Sequence, residues 1–194
     1  MSGGVRIIAG DLGGRRIAVP EHGTRPMADR MRQSLFAVLE PRLPGARVLD
    51  LCAGSGAGGF EALSRGAQHA CFVERSREAA GTIRDNAAAL GVGERTEVRT
   101  SEARAALAAL SASGERFDLV LFDPPYDDLA LRDEALRALA APEAPLRPGS
   151  LVVATGRRRT AGAPAVGGTL RLVRELPFGE TSIQLLERTE GAAG

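Results

Sequence analysis

The stretch ARVLDLCAGSGAGG, residues 46–59, is the part of the sequence that decides the fold. A short apolar run ends at Asp50, and Gly54, Gly56 and Gly59 follow in the spacing G-x-G-x-x-G. Glycines at this spacing, between a strand and a helix, allow a sharp turn and let the backbone approach a bound ligand. The stretch therefore predicts the first strand and helix of an α/β sheet, with a ligand-binding loop between them.

Short apolar runs alternate with alanine-rich and leucine-rich runs along the rest of the chain. The further predicted strands are residues 70–74, 96–100, 117–122 and 151–155, and the predicted helices are residues 59–66, 77–91, 102–114 and 129–142. The central strands are almost entirely apolar, which is typical of a parallel sheet covered on both faces. Two more runs, 169–176 and 182–188, predict an antiparallel hairpin at the sheet edge. The predicted fold class is α/β, with a seven-stranded, mostly parallel, doubly wound sheet.

An N-terminal extension, residues 1–42, precedes the predicted sheet domain of residues 43–190. Within it, VRIIAG (5–10) and RRIAVP (15–20) flank DLGG, which predicts a small β-hairpin whose glycines adopt positive φ. The following segment, 25–40, predicts a helix with one apolar face. Its apolar positions at helical spacing are Met31, Leu35, Val38 and Leu39.

The composition excludes several classes of protein. With 194 residues, of which 44% are hydrophobic and 25% charged, the chain resembles an ordinary soluble globular protein. No apolar run approaches the roughly 20 residues that span a bilayer, and the N-terminus lacks the pattern of a secretion signal, so we expect a cytoplasmic location and no membrane partner. The two cysteines, Cys52 and Cys71, and the two histidines, His22 and His69, lack the spacing of a zinc site or a disulfide framework. We therefore expect no metal.

The acidic residues at the predicted strand ends favour a cationic ligand. Glu74 lies 20 residues after Gly54, so the dinucleotide-binding pattern is formally present. A nicotinamide cofactor nevertheless fits poorly, because Asp50 would lie near the negative diphosphate. S-adenosylmethionine carries a sulfonium and an ammonium group and no phosphate; Glu74 could accept from its ribose hydroxyls and Glu102 could reach its adenine amino group. The alternative, in which Asp50 only caps the loop and Glu74 and Glu102 are solvated, stays open.

A second motif, VLFDPPYDD at residues 120–128, ends the predicted fourth strand with a carboxylate, two prolines and the only tyrosine. Asp123 and the carbonyl of Pro124 could accept the two N–H groups of a planar amine and direct its lone pair at a methyl group. Proline fixes φ, and Tyr126 offers a face on which an extruded base could stack, worth about 1–3 kcal/mol. A purely structural role for this turn is the alternative.

The residues now carry a family resemblance. DLCAGSG together with DPPY resembles the S-adenosylmethionine-dependent amino-methyltransferases. RIIAG, GGRRI, TRPMADRMRQSLF, GFEALSRGA and FGET closely resemble the RsmD family, bacterial methyltransferases that modify N2 of one guanine in 16S ribosomal RNA. The resemblance spans about residues 5–188 and implies a Rossmann-like class I methyltransferase. It also implies S-adenosyl-L-methionine as cofactor, and ribosomal RNA or an assembling small ribosomal subunit as partner.

The resemblance assigns roles to individual residues. It implies cofactor contacts for Arg25, Asp50, Ala53, Gly54, Gly56, Glu74, Glu102 and Asp123, and a catalytic motif of Asp123, Pro124, Pro125 and Tyr126. Although the whole chain has a net charge of only +1, residues 1–32 contain six arginines and three acidic residues. The resemblance implies RNA phosphate contacts for five of these arginines, namely Arg6, Arg15, Arg16, Arg30 and Arg32.

Several positions depart from the family pattern. The family usually has threonine at Met27, glutamate at Gln33, asparagine at Ala37, a bulky aliphatic residue at Gly58 and an aromatic residue at Cys52. After the fifth strand it often has an acidic residue, where this chain has ATGRRR. These departures bear on the target more than on the transfer chemistry. Alternative functions are amino-methylation of DNA adenine or another RNA, an inactive cofactor-binding RNA-assembly module, and a nicotinamide-dependent oxidoreductase.

Overall fold

The computed structural model describes residues 4–21, 27–158 and 168–189, so Arg25 and its expected cofactor contact lie outside the described residues. The chain divides into two compact units, Met1–Glu102 and Ala103–Gly194. The predicted boundary between an extension of residues 1–42 and a domain of residues 43–190 stays a prediction.

The first unit contains the N-terminal hairpin and three strands of the main sheet. Its strands are β1 (Val5–Arg6), β2 (Arg16–Ile17), β3 (Arg47–Leu51), β4 (His69–Glu74) and β5 (Thr96–Thr100), and its helices are α1 (Asp29–Leu39), α2 (Ala57–Ser64) and α3 (Arg77–Leu90). Strands β1 and β2 pair antiparallel, whereas β3, β4 and β5 pair in parallel. Consecutive parallel pairing with intervening helices is the arrangement that the alternating sequence pattern predicts.

The second unit supplies the other strands of the main sheet. Its helices are α4 (Ala103–Ser113) and α5 (Leu129–Leu139), and its strands are β6 (Phe117–Phe122), β7 (Leu146–Arg157), β8 (Leu170–Phe178) and β9 (Thr181–Arg188). Strands β6 and β7 are parallel, whereas β9 is antiparallel to both β7 and β8. Over the described residues the main sheet has seven strands in the order β5-β4-β3-β6-β7-β9-β8, which confirms the predicted fold class.

Strand β7 departs from its prediction, because it begins at Leu146 and not at residue 151. Phe117 pairs with Leu146 and Leu119 pairs with Leu151, so β7 has three extra residues at this irregularity. Gly149 lies there with φ of 77°. The Pro-Gly sequence predicts a turn, and the strand accommodates that turn as a bulge without ending.

Close packing of α2 against β4 fixes where the glycine loop ends. A Cβ on Gly59 would lie 2.3 Å from the ring of Phe72, so only glycine permits this approach. The Phe60 and Phe72 rings contact each other with their centroids 4.9 Å apart and their planes tilted by 38°. The third glycine of the motif is therefore a helix–strand packing residue.

Candidate active site

The glycine loop turns sharply as it leaves β3. Cys52, Gly54 and Gly56 all have positive φ, at 66°, 57° and 78°, and among the described residues Cys52 is the one non-glycine with this conformation. The N–H of Gly56 donates to the carbonyl of Ala53 at 2.8 Å, and the N–H of Ala53 donates to Val73 on β4 at 3.0 Å. The loop is thus tied both to itself and to the neighbouring strand.

Asp50 caps α2 from the end of β3. Its side chain is buried, and Oδ2 accepts a hydrogen bond from the backbone N–H of Gly59, the third residue of α2, at 2.8 Å. The structure thus gives Asp50 the capping role that the sequence left open. A carboxylate has about four acceptor positions, so the cap is compatible with a cation at the same strand end. The cofactor contact of Asp50 stays a prediction.

Glu74 holds the same loop from the end of β4. Its buried carboxylate accepts from the N–H of Gly54 at 2.9 Å through Oε2 and from the N–H of Ser76 at 2.8 Å through Oε1. Its side chain is not solvated, which excludes that part of the alternative. Glu102 is exposed and follows β5, whose Thr100 pairs with Glu74. The first unit therefore has three carboxylates at or just beyond the carboxyl ends of three neighbouring strands, an electrostatic environment that suits a cation.

In the second unit, the turn after β6 presents Asp123 to the neighbouring strand. The hydroxyl of Thr155, which is buried near the end of β7, donates to Oδ1 of Asp123. Burial raises the pKa of the Asp123 carboxyl, and the Thr155 hydrogen bond opposes that shift. Pro124 is buried and Pro125 is exposed. The turn closes when the N–H of Asp128 donates to the Pro125 carbonyl at 3.0 Å.

Tyr126 is half-buried and its hydroxyl contacts a threonine on β9. The Oγ1 of Thr181 on β9 lies 3.5 Å from the phenolic oxygen, at the long limit of a hydrogen bond. Burial raises the pKa of the Tyr126 phenol; hydrogen bonds with Thr181 and Thr155 oppose this shift, and the charge of Asp123 adds to it. The carboxylate of the DPPY motif is therefore bonded by a hydroxyl on β7, and its phenol is contacted by a hydroxyl on β9.

The N-terminal hairpin docks on α2 through two polar side chains of that helix. The fully buried Glu61 accepts from the N–H groups of Ile8 at 2.8 Å and Ala9 at 3.2 Å. Ser64 accepts from the N–H of Leu12 at 2.9 Å. The RIIAG and GFEALSRGA sequences, which both carry the family resemblance, therefore contact each other in the fold.

After the hairpin, the chain runs along α3 from its C-terminus to its N-terminus. Arg15 donates to the carbonyl of Leu90 at 2.9 Å, and Asn86 both accepts from and donates to the backbone of Ala18, at 2.8 and 3.0 Å. The N–H of Glu21 then donates to Glu78, in the first turn of α3, at 3.0 Å. The segment therefore reaches the N-terminal end of α3, which follows Glu74 in the sequence.

The arginines expected to contact RNA fall into two groups. Arg6, Arg15, Arg16 and Arg30 are exposed. Arg32 is only 1% exposed and donates to the carbonyl of Arg6 at 2.6 Å and to Asp29 at 2.9 Å. Its Nε lies 3.8 Å from the buried Glu61, and burial lowers the pKa of its guanidinium. A phosphate contact does not fit this position, since Arg32 joins α1 to the hairpin and α2.

Sequence reasoning missed Thr155, Thr181, Glu61 and Asn86. A signal existed for Thr155, because it is a polar residue near the end of the apolar run LVVAT, as Asp123 is after VLF. Nothing in the sequence marks Asn86 apart from other polar residues on α3. In the part of the chain that the structure describes, no three or more His, Cys, Asp or Glu residues are grouped as a metal site would need. Nor is any described helix both long and apolar enough to cross a bilayer.

A parallel sheet with an antiparallel C-terminal pair, a glycine loop and acidic strand ends define a class I methyltransferase fold. A solved structure from Escherichia coli, "Putative methyltransferase yhhF", is 34% identical with a TM-score of 0.83, over 96% of this chain and 99% of that one. The family model described as conserved hypothetical protein 95 matches residues 5–187. The chain belongs to this family, the RsmD family.

Two curated relatives agree with this membership. The "Putative rRNA methyltransferase YlbH" of Bacillus subtilis (strain 168) is 34% identical over 185 residues, covering 95% of this chain and 99% of the relative. The ribosomal RNA small subunit methyltransferase D of Escherichia coli (strain K12) is 40% identical over 126 residues, covering 64% of this chain and 62% of the relative.

Proposed function

We propose that the chain is an S-adenosylmethionine-dependent methyltransferase that acts on the exocyclic N2 amino group of a guanine in small-subunit (16S) ribosomal RNA. Family membership and the names of the relatives support the reaction and the RNA class. The observation that carries the proposal is Asp123, a carboxylate after β6 whose Oδ1 is oriented by Thr155. The remaining acceptor positions of this carboxylate can receive the N–H of an amine.

The chemistry requires acceptors because the guanine amino group is a weak nucleophile. Its lone pair is conjugated with the ring, and hydrogen bonds from both N–H groups to Asp123 and to the Pro124 carbonyl draw the nitrogen toward a pyramidal geometry. Since Pro124 and Pro125 restrict φ, these acceptors need little reorganisation during transfer. Tyr126 stacks on the extruded base, which removes it from its neighbours in the RNA.

The cofactor-binding role belongs to the first unit. Asp50, Glu74 and Glu102 make its strand ends acidic, which suits a sulfonium and an ammonium group and disfavours a diphosphate. The loop residues Ala53, Gly54 and Gly56 bring the backbone close to the ligand, and Arg25 and Asp123 are the other expected contacts. When bound, S-adenosylmethionine supplies an electrophilic methyl group. Glu74 fixes the loop that faces it through the Gly54 N–H.

The RNA-binding role falls to the exposed arginines of the N-terminal part of the first unit. Arg6, Arg15, Arg16 and Arg30 present guanidinium groups that match phosphate oxygens, whereas the buried Arg32 supports the fold. The partner is ribosomal RNA or an assembling small subunit, and the location is the cytoplasm.

The experiment that tests the proposal measures methyl transfer from labelled S-adenosylmethionine to small ribosomal subunits from cells that lack this protein. Nucleoside analysis of 16S RNA should give labelled N2-methylguanosine, and genomic DNA serves as a parallel substrate. Label in DNA or another nucleoside would keep the chemistry and refute the target. Cofactor binding without any label would favour a binding module.

Two sets of variants assign the roles. Asp123→Ala should abolish transfer and leave cofactor binding largely intact, because the carboxylate accepts from the amine; loss of cofactor binding would show that its role is different. Replacing Arg15 and Arg16 together should weaken RNA binding and flatten its salt dependence. An unchanged salt slope would rule out phosphate contacts at these two residues.

A further inference from the structure

Two threonines from neighbouring strands meet the functional groups of the DPPY turn. Phe122 pairs with Ala154, so Asp123 and Thr155 follow at the same level of β6 and β7. Thr155 is 1% exposed and bonds Asp123. Thr181, at the start of β9, contacts the hydroxyl of Tyr126 at 3.5 Å. Both contacts lie within the second unit, and each joins a strand to the turn.

The chemistry of the groups fixes the direction of these hydrogen bonds. An ionised carboxylate can only accept, so the single proton of the Thr155 hydroxyl must be donated to Asp123. The Tyr126 oxygen in turn accepts from Thr181. Two hydroxyls therefore reach the turn, that of Thr155 at its carboxylate and that of Thr181 at its phenol.

We propose that Thr155 is a positioning residue, whose hydroxyl turns the Asp123 carboxylate toward the amino group of the substrate. This inference rests on the proposed function of the DPPY turn. Thr155 needs no contact with substrate or cofactor, since it acts through Asp123. A hydroxyl suits this position because it donates to the carboxylate without adding a charge. Thr181 makes the longer contact and so guides Tyr126 more weakly.

The charged neighbours of the turn do not replace Thr155. Asp127 forms an ion pair with Arg157 of β7 at 3.0 Å, and both side chains are largely exposed. Asp128 caps α5 by accepting from the N–H of Leu131 at 3.0 Å. Tyr126 is the titratable group nearest in sequence, and the charge of Asp123 already acts on it. Removing the Thr155 hydroxyl should therefore change the protonation of Asp123 directly.

The first test measures the titration of Asp123 without any substrate, by ¹³C NMR of aspartate side-chain carboxyls, assigned with Asp123→Asn. Loss of a hydrogen bond to a charged group moves the titration midpoint of that group by roughly one to two pH units. Thr155→Val should therefore raise the Asp123 midpoint by about that amount, and Thr155→Ser should restore it. Thr96→Val is the matched control. Thr96 begins β5, away from the carboxyl ends of the strands, and its hydroxyl donates to the carbonyl of Val92. Should Thr155→Val not fold, Thr155→Ala removes the same donor.

The second test measures methyl transfer against pH. In Thr155→Val the acidic limb of the kcat profile should move to higher pH, because activity needs the ionised carboxylate. The cofactor Kd of this variant should stay unchanged. Thr181→Val should show a smaller shift of the acidic limb. An unmoved carboxyl midpoint in Thr155→Val would overturn the inference even if 16S RNA is methylated. A moved midpoint without methylation of 16S RNA would leave the inference standing and refute the proposed target.

Discussion

Asp50 can be tested for two separate roles, as the cap of α2 and as a negative charge for the cofactor. The change to alanine removes both, whereas the change to asparagine keeps an oxygen that can still accept from the Gly59 N–H, now 2.8 Å from the carboxylate. The comparison of Asp50→Asn with Asp50→Ala therefore separates hydrogen bonding from charge.

The magnitudes differ enough to be measured. Asp50→Ala leaves the buried N–H of Gly59 without its acceptor, which costs about 1–3 kcal/mol, and removes a charge from the helix N-terminus, worth about 0.3–1 kcal/mol. Asp50→Asn loses only the charge-dependent part, about 1 kcal/mol. A positive cofactor group that bound about 8 Å from the carboxylate would interact with it by about 2 kcal/mol at an effective dielectric of about 20, which corresponds to roughly 30-fold in Kd.

The assay combines urea unfolding of the cofactor-free protein with calorimetric titration of S-adenosylmethionine. Asp50→Asn should lower the free energy of unfolding by only about 1 kcal/mol and bind the cofactor roughly 30-fold more weakly. Asp50→Ala should show both losses. If Asp50→Asn binds the cofactor like wild type while Asp50→Ala does not, the charge is irrelevant and Asp50 acts only as a cap.

Three further predictions concern the supports of the site. Asn86→Leu should lower the free energy of unfolding by about 1–3 kcal/mol and speed proteolysis of the N-terminal segment, since Asn86 holds both backbone groups of Ala18; proteolysis at the wild-type rate would contradict this. Arg32→Met should destabilise the fold by roughly 3 kcal/mol in urea unfolding, whereas the exposed Arg16→Met should lower RNA affinity and change stability little; the reverse pattern would refute the assignment of these two arginines. Gly59→Ala should lower stability by about 1–3 kcal/mol, because its Cβ would lie 2.3 Å from a ring atom, and wild-type urea unfolding would show that the ring moves freely.

The sequence predicts the sheet well because strand periodicity and glycine punctuation are local signals. The predicted strand of residues 117–122 and the observed β6 coincide, and α3 is predicted to within one residue. It predicts the start of β7 poorly, because Pro148 and Gly149 have the local signature of a turn, and only pairing with Phe117 keeps Leu146 in the strand. That pairing is a tertiary contact between residues far apart in sequence.

The sequence predicts which types of residue form the candidate site better than it predicts which residues they contact. A carboxylate at the end of an apolar strand is visible in the sequence, as Asp50, Glu74 and Asp123 show. Whether an arginine is exposed is not visible, and Arg32 is buried because Glu61 and Asp29 lie beside it in the fold. The role of Thr155 is not visible in the sequence either, since it depends on the carboxylate at the end of the neighbouring strand.

A common principle explains how both units hold their functional groups. In the first unit, carboxylates at strand ends accept from backbone N–H groups of the glycine loop and α2. In the second, hydroxyls on β7 and β9 reach the turn after β6. Each carboxylate is thus fixed by a bond within the fold and retains acceptor capacity for a ligand. Alanine variants of Asp50, Glu74 or Asp123 therefore remove a structural bond together with any binding role, and the isosteric Asn and Gln variants are the ones that separate the two.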